Sequence, residues 1–259
     1  MDDSRLPYIA LTIDLMAHQP TIVLLHGLGA TGRVWDSFVH SANYSGRIIA
    51  PDLPGHGSAK WSDSYSFDAM ASEVSELLEV DEPYVVLGHS MGGGVGAALA
   101  TGFFGATPLV LATIGVKLLW TETELSKLPE VAAKPARLFD DRAGAADWFL
   151  KLSGLLGLVD ANSPLVESGI VQDKDGWRVC QDPRTVLVVE GSPPFTQLFS
   201  GLSTPVHMSL GEHDPLVSPS DHVAMSTGEP HVFYGSGHNV MVEDPAVVWN
   251  WFSSLVSVS

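Results

Sequence analysis

Residues 84–92 read Tyr84-Val85-Val86-Leu87-Gly88-His89-Ser90-Met91-Gly92. An apolar run of strand length ends in a glycine, and a stretch rich in small residues, 91–104, follows at helical length. The serine between them sits on a sharp strand-to-helix turn. At the C-terminal end of a strand such a side chain is exposed on the sheet edge, and the flanking glycines leave room for a strained backbone. The N–H of Met91 falls at the start of the helix, where it can stabilise an oxyanion. The bare G-x-S-x-G pattern is weak; its position between a strand and a helix gives it weight.

Outward from this turn, further apolar runs recur at residues 8–13, Thr21–Leu25, 47–50, 109–114, 206–210 and 231–234. Most are continuous rather than alternating, as expected for strands buried on both faces of a parallel sheet. Helix-like stretches lie between them at 67–78, with Ser66 as a candidate cap, at 219–225, and at Pro245–Leu255, where proline suits the first turn. The alternation predicts an α/β fold, a mostly parallel central sheet flanked by helices. It stops over 116–201, where helical pieces such as 145–156 surround a candidate hairpin at 169–182 with its turn at Asp175-Gly176. The expected organisation is a core of residues 1–115 and 202–259 with a mainly helical cap, 116–201, in the same compact unit.

A second motif competes for the function. Gly27-Leu28-Gly29-Ala30-Thr31-Gly32 matches G-x-G-x-x-G, and Asp52 follows Gly32 by twenty residues. That layout fits an NAD(P)-binding oxidoreductase, with pyrophosphate on a helix N-terminus and the acid on a ribose. No Tyr-x-x-x-Lys pair accompanies it, and it leaves other residues without a role. A serine hydroxyl needs a base, and the base an orienting acid. His238 follows the strand at 231–234, and Asp214 follows the strand at 206–210. Parallel strands bring both loops to the edge that carries Ser90. Glu212 and Asp221 are nearby rivals for the acid.

The motifs His26-Gly27-Leu28-Gly29, 52–58 (DLPGHGS), 88–93 (GHSMGG), Gly211-Glu212-His213-Asp214 and Gly237-His238 together resemble the α/β-hydrolase family, from about Thr21 to the C-terminus. The resemblance implies Ser90 as nucleophile, His238 as base, Asp214 as orienting acid, and the Leu28 and Met91 N–H groups as oxyanion hole. It implies a serine hydrolase of a carboxylic ester or related acyl compound, acting through an acyl-enzyme without a cofactor. Carbon–carbon bond hydrolases, lactonases, amidases and cofactor-free haloperoxidases share the arrangement, and a non-catalytic ligand-binding or signalling protein is the alternative of a different class. His26, His56 and Asp52 are expected to shape turns, and His89 to pack or hydrogen-bond locally. Trp35, Trp120, Trp148 and Phe149 are candidates for substrate contact; the cap aromatics, Trp177 among them, equally suit a core of the cap itself.

The net charge of −17, from 30 acidic against 13 basic residues, argues against nucleic acid and anionic membranes as partners. One cysteine, Cys180, allows no internal disulfide. The ten histidines lack metal-ligand spacing, so no metal is expected. An acidic start without an apolar core, and no long apolar run, predict a cytoplasmic location. A small-molecule substrate is expected, with any anionic group limited to Arg33, Lys117, Lys151 or Arg178. The scarcity of cations near the motifs favours a neutral or weakly charged ester.

Overall fold

In the computed structural model, which describes residues 19–223 and 229–256, six parallel strands form one sheet. They are β1 (Thr21–Leu25), β2 (Ile48–Ile49), β3 (Tyr84–His89), β4 (Leu111–Ile114), β7 (Val206–Gly211) and β8 (His231–Phe233), in the order β2-β1-β3-β4-β7-β8. The run at 8–13 lies outside the described residues. The chain passes from β1 to β2 on one side and returns to β3 on the other. The order therefore reverses between β1 and β3, and a crevice opens beyond their C-terminal ends, the usual ligand position in open parallel sheets. The segments after β1 and β3 are Gly27-Leu28 and Ser90.

Strand parity explains the continuous apolar runs. Val23, Leu25 and Val86 face one core, shared with α2 (Phe67–Ser75) and α3 (Met91–Ala100). Ile22, Leu24, Val85 and Leu87 face the other, shared with α1 (Asp36–Ser41) and α11 (Pro245–Leu255). All of these strand side chains are essentially buried, each worth roughly 1.5–3 kcal/mol relative to exposure. Helix α2 starts where Ser66 accepts a hydrogen bond from the Ala69 N–H at 3.1 Å. Every residue of α3 is buried. It ends at Ala100, short of the expected 104, because Gly102 turns left-handed at φ +81° and leaves Phe103 in solvent.

Between β4 and β7 the chain leaves the sheet. It forms α4 (Glu122–Leu125), α5 (Leu128–Ala132), α6 (Arg142–Leu152), α7 (Pro164–Gly169) and an antiparallel hairpin. The hairpin comprises β5 (Ile170–Asp173) and β6 (Gly176–Val179). A 3-10 helix, Pro183–Val189, and α8 (Phe195–Phe199) lead back to the sheet. Asp173 pairs with Gly176, so the hairpin's two loop residues are Lys174-Asp175, one position earlier than expected. Helix α6 starts three residues earlier than expected, at a cap where Asp141 accepts the Gly144 N–H at 2.8 Å. The excursion shares both cores of the sheet: Val188, Phe195 and Phe199 join one, and Ala145, Phe149, Ile170 and Val179 join the other. Beyond β7 come α9 (Pro219–Val223) and α10 (Val240–Glu243). Among the described residues no helix is long and apolar enough to cross a membrane.

Candidate active site

Ser90 has φ +49° and ψ −115°, a conformation L-residues rarely hold and one that costs on the order of 1–3 kcal/mol. Its neighbours enforce it. The Ser90 N–H donates to Ile114 O at 2.8 Å, and Gly93 N–H donates to Ser90 O at 3.0 Å. The glycines are required by close approach: a Cβ on Gly88 would lie 2.6 Å from Gly92 O, and one on Gly92 would overlap Leu25 O. The turn is thus wedged between β1 and α3, with the serine projecting from the sheet edge.

Two loops from the far half of the sheet meet it there. His238, after β8, donates its Nδ1–H to Asp214 Oδ2 at 2.7 Å. Asp214, after β7, accepts the Leu216 N–H on its other oxygen at 2.8 Å, and its side chain is fully buried. The two rival acids point elsewhere: Glu212 accepts from Gly235 N–H at 2.9 Å and Asp221 from Ser218 N–H at 3.3 Å. Gly115, just after β4, gives the pair its space. It sits at φ +62°, and a Cβ there would lie 3.0 Å from both Asp214 Oδ2 and His238 Nδ1. Ser90 and His238 line the same cavity, though among the described residues no hydrogen bond joins their side chains. Such contacts are often loose before a substrate is bound.

The Gly27-Leu28 loop abuts the serine: a Cβ on Gly27 would come 3.2 Å from Ser90 Cβ. Buried His26 shapes this loop. Its Nδ1–H donates to Gly27 O at 2.8 Å and its Nε2 accepts the Leu53 N–H at 2.9 Å, which fixes the neutral tautomer; burial lowers its pKa further. His56 is buried against His26 and is lowered to about 3 by burial and by that neighbour. Asp52 accepts Gly32 N–H at 2.8 Å and both the Ser58 N–H and hydroxyl at 2.8 Å. Burial alone would raise the Asp52 carboxyl, but these donors outweigh it and hold the group below its ordinary value. Both Asp52 oxygens are engaged in the turn, and Gly32 opens a 3-10 turn, Gly32–Trp35, packed against Ala50. This geometry gives the glycines and Asp52 a structural role in the turn.

Three contacts escaped sequence reasoning. His89 Nε2–H donates to His238 O at 3.0 Å. Asn239 Nδ2 donates to Ser153 O and Gly154 O at 3.2 and 3.1 Å, tying the histidine loop to the end of α6. Glu243 accepts the Gly237 N–H at 2.7 Å from one turn beyond. All three lie in or beside the recognised motifs, but the partners of His89 and Asn239 lie 149 and 85–86 residues away, so no local pattern signals those two.

The cavity beside Ser90 measures about 790 Å³. Leu28, Met91 and Phe67 line it from the sheet side, and Trp120, Leu152, Leu156, Val188 and Phe195 line it from the excursion. Of the aromatic candidates, only Trp120 faces it. Trp35 and Phe149 are 0% and 1% exposed and belong to the core on the α1/α11 side; Trp148 packs beside that core under the Arg137 guanidinium, 5.0 Å from its ring. Their apolar bulk serves the core, and the substrate-contact expectation for these three is corrected. Trp177 packs with the same core. Lys117 lines the cavity as an ion pair with Glu124, over the Trp120 ring, and Lys151 pairs with Asp147 at 2.6 Å. Arg33 pairs with Asp36 at 3.0 Å and Arg178 with Asp173 at 3.1 Å, and neither lines the cavity. Among the described residues no three His, Cys, Asp or Glu side chains cluster as metal ligands would.

The arrangement offers a strained serine, a histidine hydrogen-bonded to a buried acid, and Leu28 and Met91 lining the same cavity. It can support acyl transfer. A model described as "Alpha/beta hydrolase family" matches residues 22–251. The chain is 40% identical to the lipase LipV of Mycobacterium tuberculosis over 81 residues, 30% of this chain and 31% of that protein. It is 28% identical to protein phosphatase methylesterase 1 of Bos taurus over 181 residues, 66% of this chain and 47% of that protein. The chain thus spans less than half the length of either curated relative. In structure it is similar to the M. tuberculosis esterase Rv0045c, with a TM-score of 0.74 at 21% identity, over 92% of this chain and 86% of that one.

Proposed function

The chain belongs to the α/β-hydrolase family, and on that premise we propose that it is a serine hydrolase cleaving a neutral carboxylic ester with an apolar acyl part. The observation that carries this reading is the 2.7 Å bond between His238 and buried Asp214 at the cavity that exposes Ser90. Ser90 Oγ attacks the ester carbonyl as His238 Nε2 takes its proton. The Leu28 and Met91 N–H groups receive the oxyanion. His238 returns the proton to the departing alcohol, and water then repeats the sequence on the acyl-enzyme. Asp214 keeps the Nδ1 proton in place and offsets the transient imidazolium charge. No cofactor takes part in these steps.

The excursion between β4 and β7 acts as the cap and supplies most of the acyl pocket. Its apolar lining suits a hydrocarbon chain, and both lysines at the wall are neutralised by a carboxylate, so an anionic substrate finds no free cation there. Ser90→Ala tested on p-nitrophenyl esters of increasing acyl length is the direct experiment. Loss of turnover by about 10³-fold or more is expected; wild-type turnover in the variant contradicts the scheme.

A further inference from the structure

His89 is 3% exposed and precedes Ser90 in the elbow. Its side chain is not spent on packing alone. Nε2–H reaches across the site to the main-chain carbonyl of His238 at 3.0 Å, and the two rings lie 4.5 Å apart at 57°. Donation from Nε2 leaves Nδ1 as a lone pair. That nitrogen is buried without a partner and faces Gly27, whose added Cβ would come within 2.7 Å of it. One side chain thereby touches three parts of the site: the serine elbow it belongs to, the Gly27-Leu28 loop, and the backbone of the base.

We infer that His89 is a positioning residue for His238: its Nε2–H holds the His238 carbonyl and thereby sets how the imidazole is presented to Ser90. This inference rests on the role proposed above for His238. The ring of His238 is fixed at Nδ1 by Asp214, but a single hydrogen bond leaves rotation about it free. Anchoring the carbonyl of the same residue removes that freedom, since main chain and side chain are then held at separate points. The donor must be uncharged, because a cation 4.5 Å away would oppose the imidazolium that forms during turnover. His89 meets that condition. Protonation would place an N–H against Gly27 with no acceptor, and burial, followed by the neighbouring His238, holds its pKa well below the ordinary value. The titratable groups acting on it are His238 and His26.

The test compares His89→Phe, which keeps a ring but loses the donor, with His89→Gln, whose amide N–H can replace Nε2–H. Three quantities are read: kcat and KM on a p-nitrophenyl ester, the pH profile of kcat/KM, and the rate at which a fluorophosphonate modifies Ser90. In His89→Phe, kcat and the labelling rate are expected to fall together by about 10²-fold, the cost of a misplacement near 1 Å, with KM little changed. The acidic limb of the pH profile shifts, and His89→Gln recovers most of the loss. If the phenylalanine variant does not fold, His89→Asn, whose shorter amide leaves the carbonyl out of reach, takes its place. A donor-free variant that labels and turns over like wild type overturns the inference, as does a glutamine variant as impaired as the phenylalanine one. A wild-type protein that neither labels nor hydrolyses esters overturns the serine-hydrolase reading, and the inference with it.

Discussion

Gly115→Ala separates two costs that a glycine usually hides together. Gly115 sits at φ +62°, so any side chain there is strained by roughly 1–2 kcal/mol. At about 2–4 °C per kcal/mol for a chain of this size, melting should fall by about 2–8 °C. The second cost is local. The new Cβ would meet Asp214 Oδ2 and His238 Nδ1, each at 3.0 Å, and those atoms share a hydrogen bond of 2.7 Å. Relief of that crowding moves the partners by a few tenths of an ångström. If a 1 Å misplacement costs about 10²-fold, a shift of about half that size costs about tenfold in kcat/KM. Gly201→Ala is the control: its φ is +79° and nothing lies within 4 Å of an added Cβ, so it carries the strain without the crowding. Thermal melting and ester kinetics on both variants decide the matter. Gly115→Ala is expected to lose stability and turnover, and Gly201→Ala stability alone. Equal turnover in the two variants refutes the idea that Gly115 gives the Asp214–His238 pair its space.

The remaining expectations concern the walls and props of the site. Asp52 is lowered in the folded state, so its stabilisation is fully present above the unfolded carboxyl value of about 3.9 and disappears as pH falls through the lower folded value. Asp52→Asn should therefore cost about 1–3 kcal/mol at neutral pH, with the gap to wild type closing below about pH 4; melting curves at the two pH values check this, and a constant gap contradicts it. Asn239→Ala strands the buried-side carbonyls of Ser153 and Gly154, and should lower stability by about 1–3 kcal/mol and raise KM as the end of α6 loosens. Trp120→Ala should lower kcat/KM on a long-chain ester by about tenfold while leaving an acetyl ester nearly unaffected, because Trp120 lines the cavity without belonging to the fully buried core.

The sheet was legible because its strands are continuous apolar runs bounded by turn residues, and both sides of β1 and β3 are buried. The placement of Ser90, Asp214 and His238 on one edge followed from strand direction alone. What the sequence concealed has two physical causes. Aromatic residues look alike whether they fill a core or face a cavity: Trp35 and Phe149 are buried in one core, while Trp120 lines the cavity, and only the fold distinguishes them. The hydrogen bonds of His89 and Asn239 join distant segments to the histidine loop, and periodicity carries no information about them. Nothing local in the sequence marks Gly115. In the structure a side chain at this position would crowd the Asp214–His238 pair. The glycine-rich loop after β1 drew a reading as a cofactor cradle because tight strand-to-helix turns use glycine whatever they bind.

In the proposed scheme Ser90 is the activated nucleophile of a Ser90–His238–Asp214 system. Incubating the full chain with a fluorophosphonate and mapping the adduct by mass spectrometry tests this. A single adduct on Ser90, lost in His238→Ala, is the result expected. An adduct on another residue, or none while esters are still being hydrolysed, contradicts it.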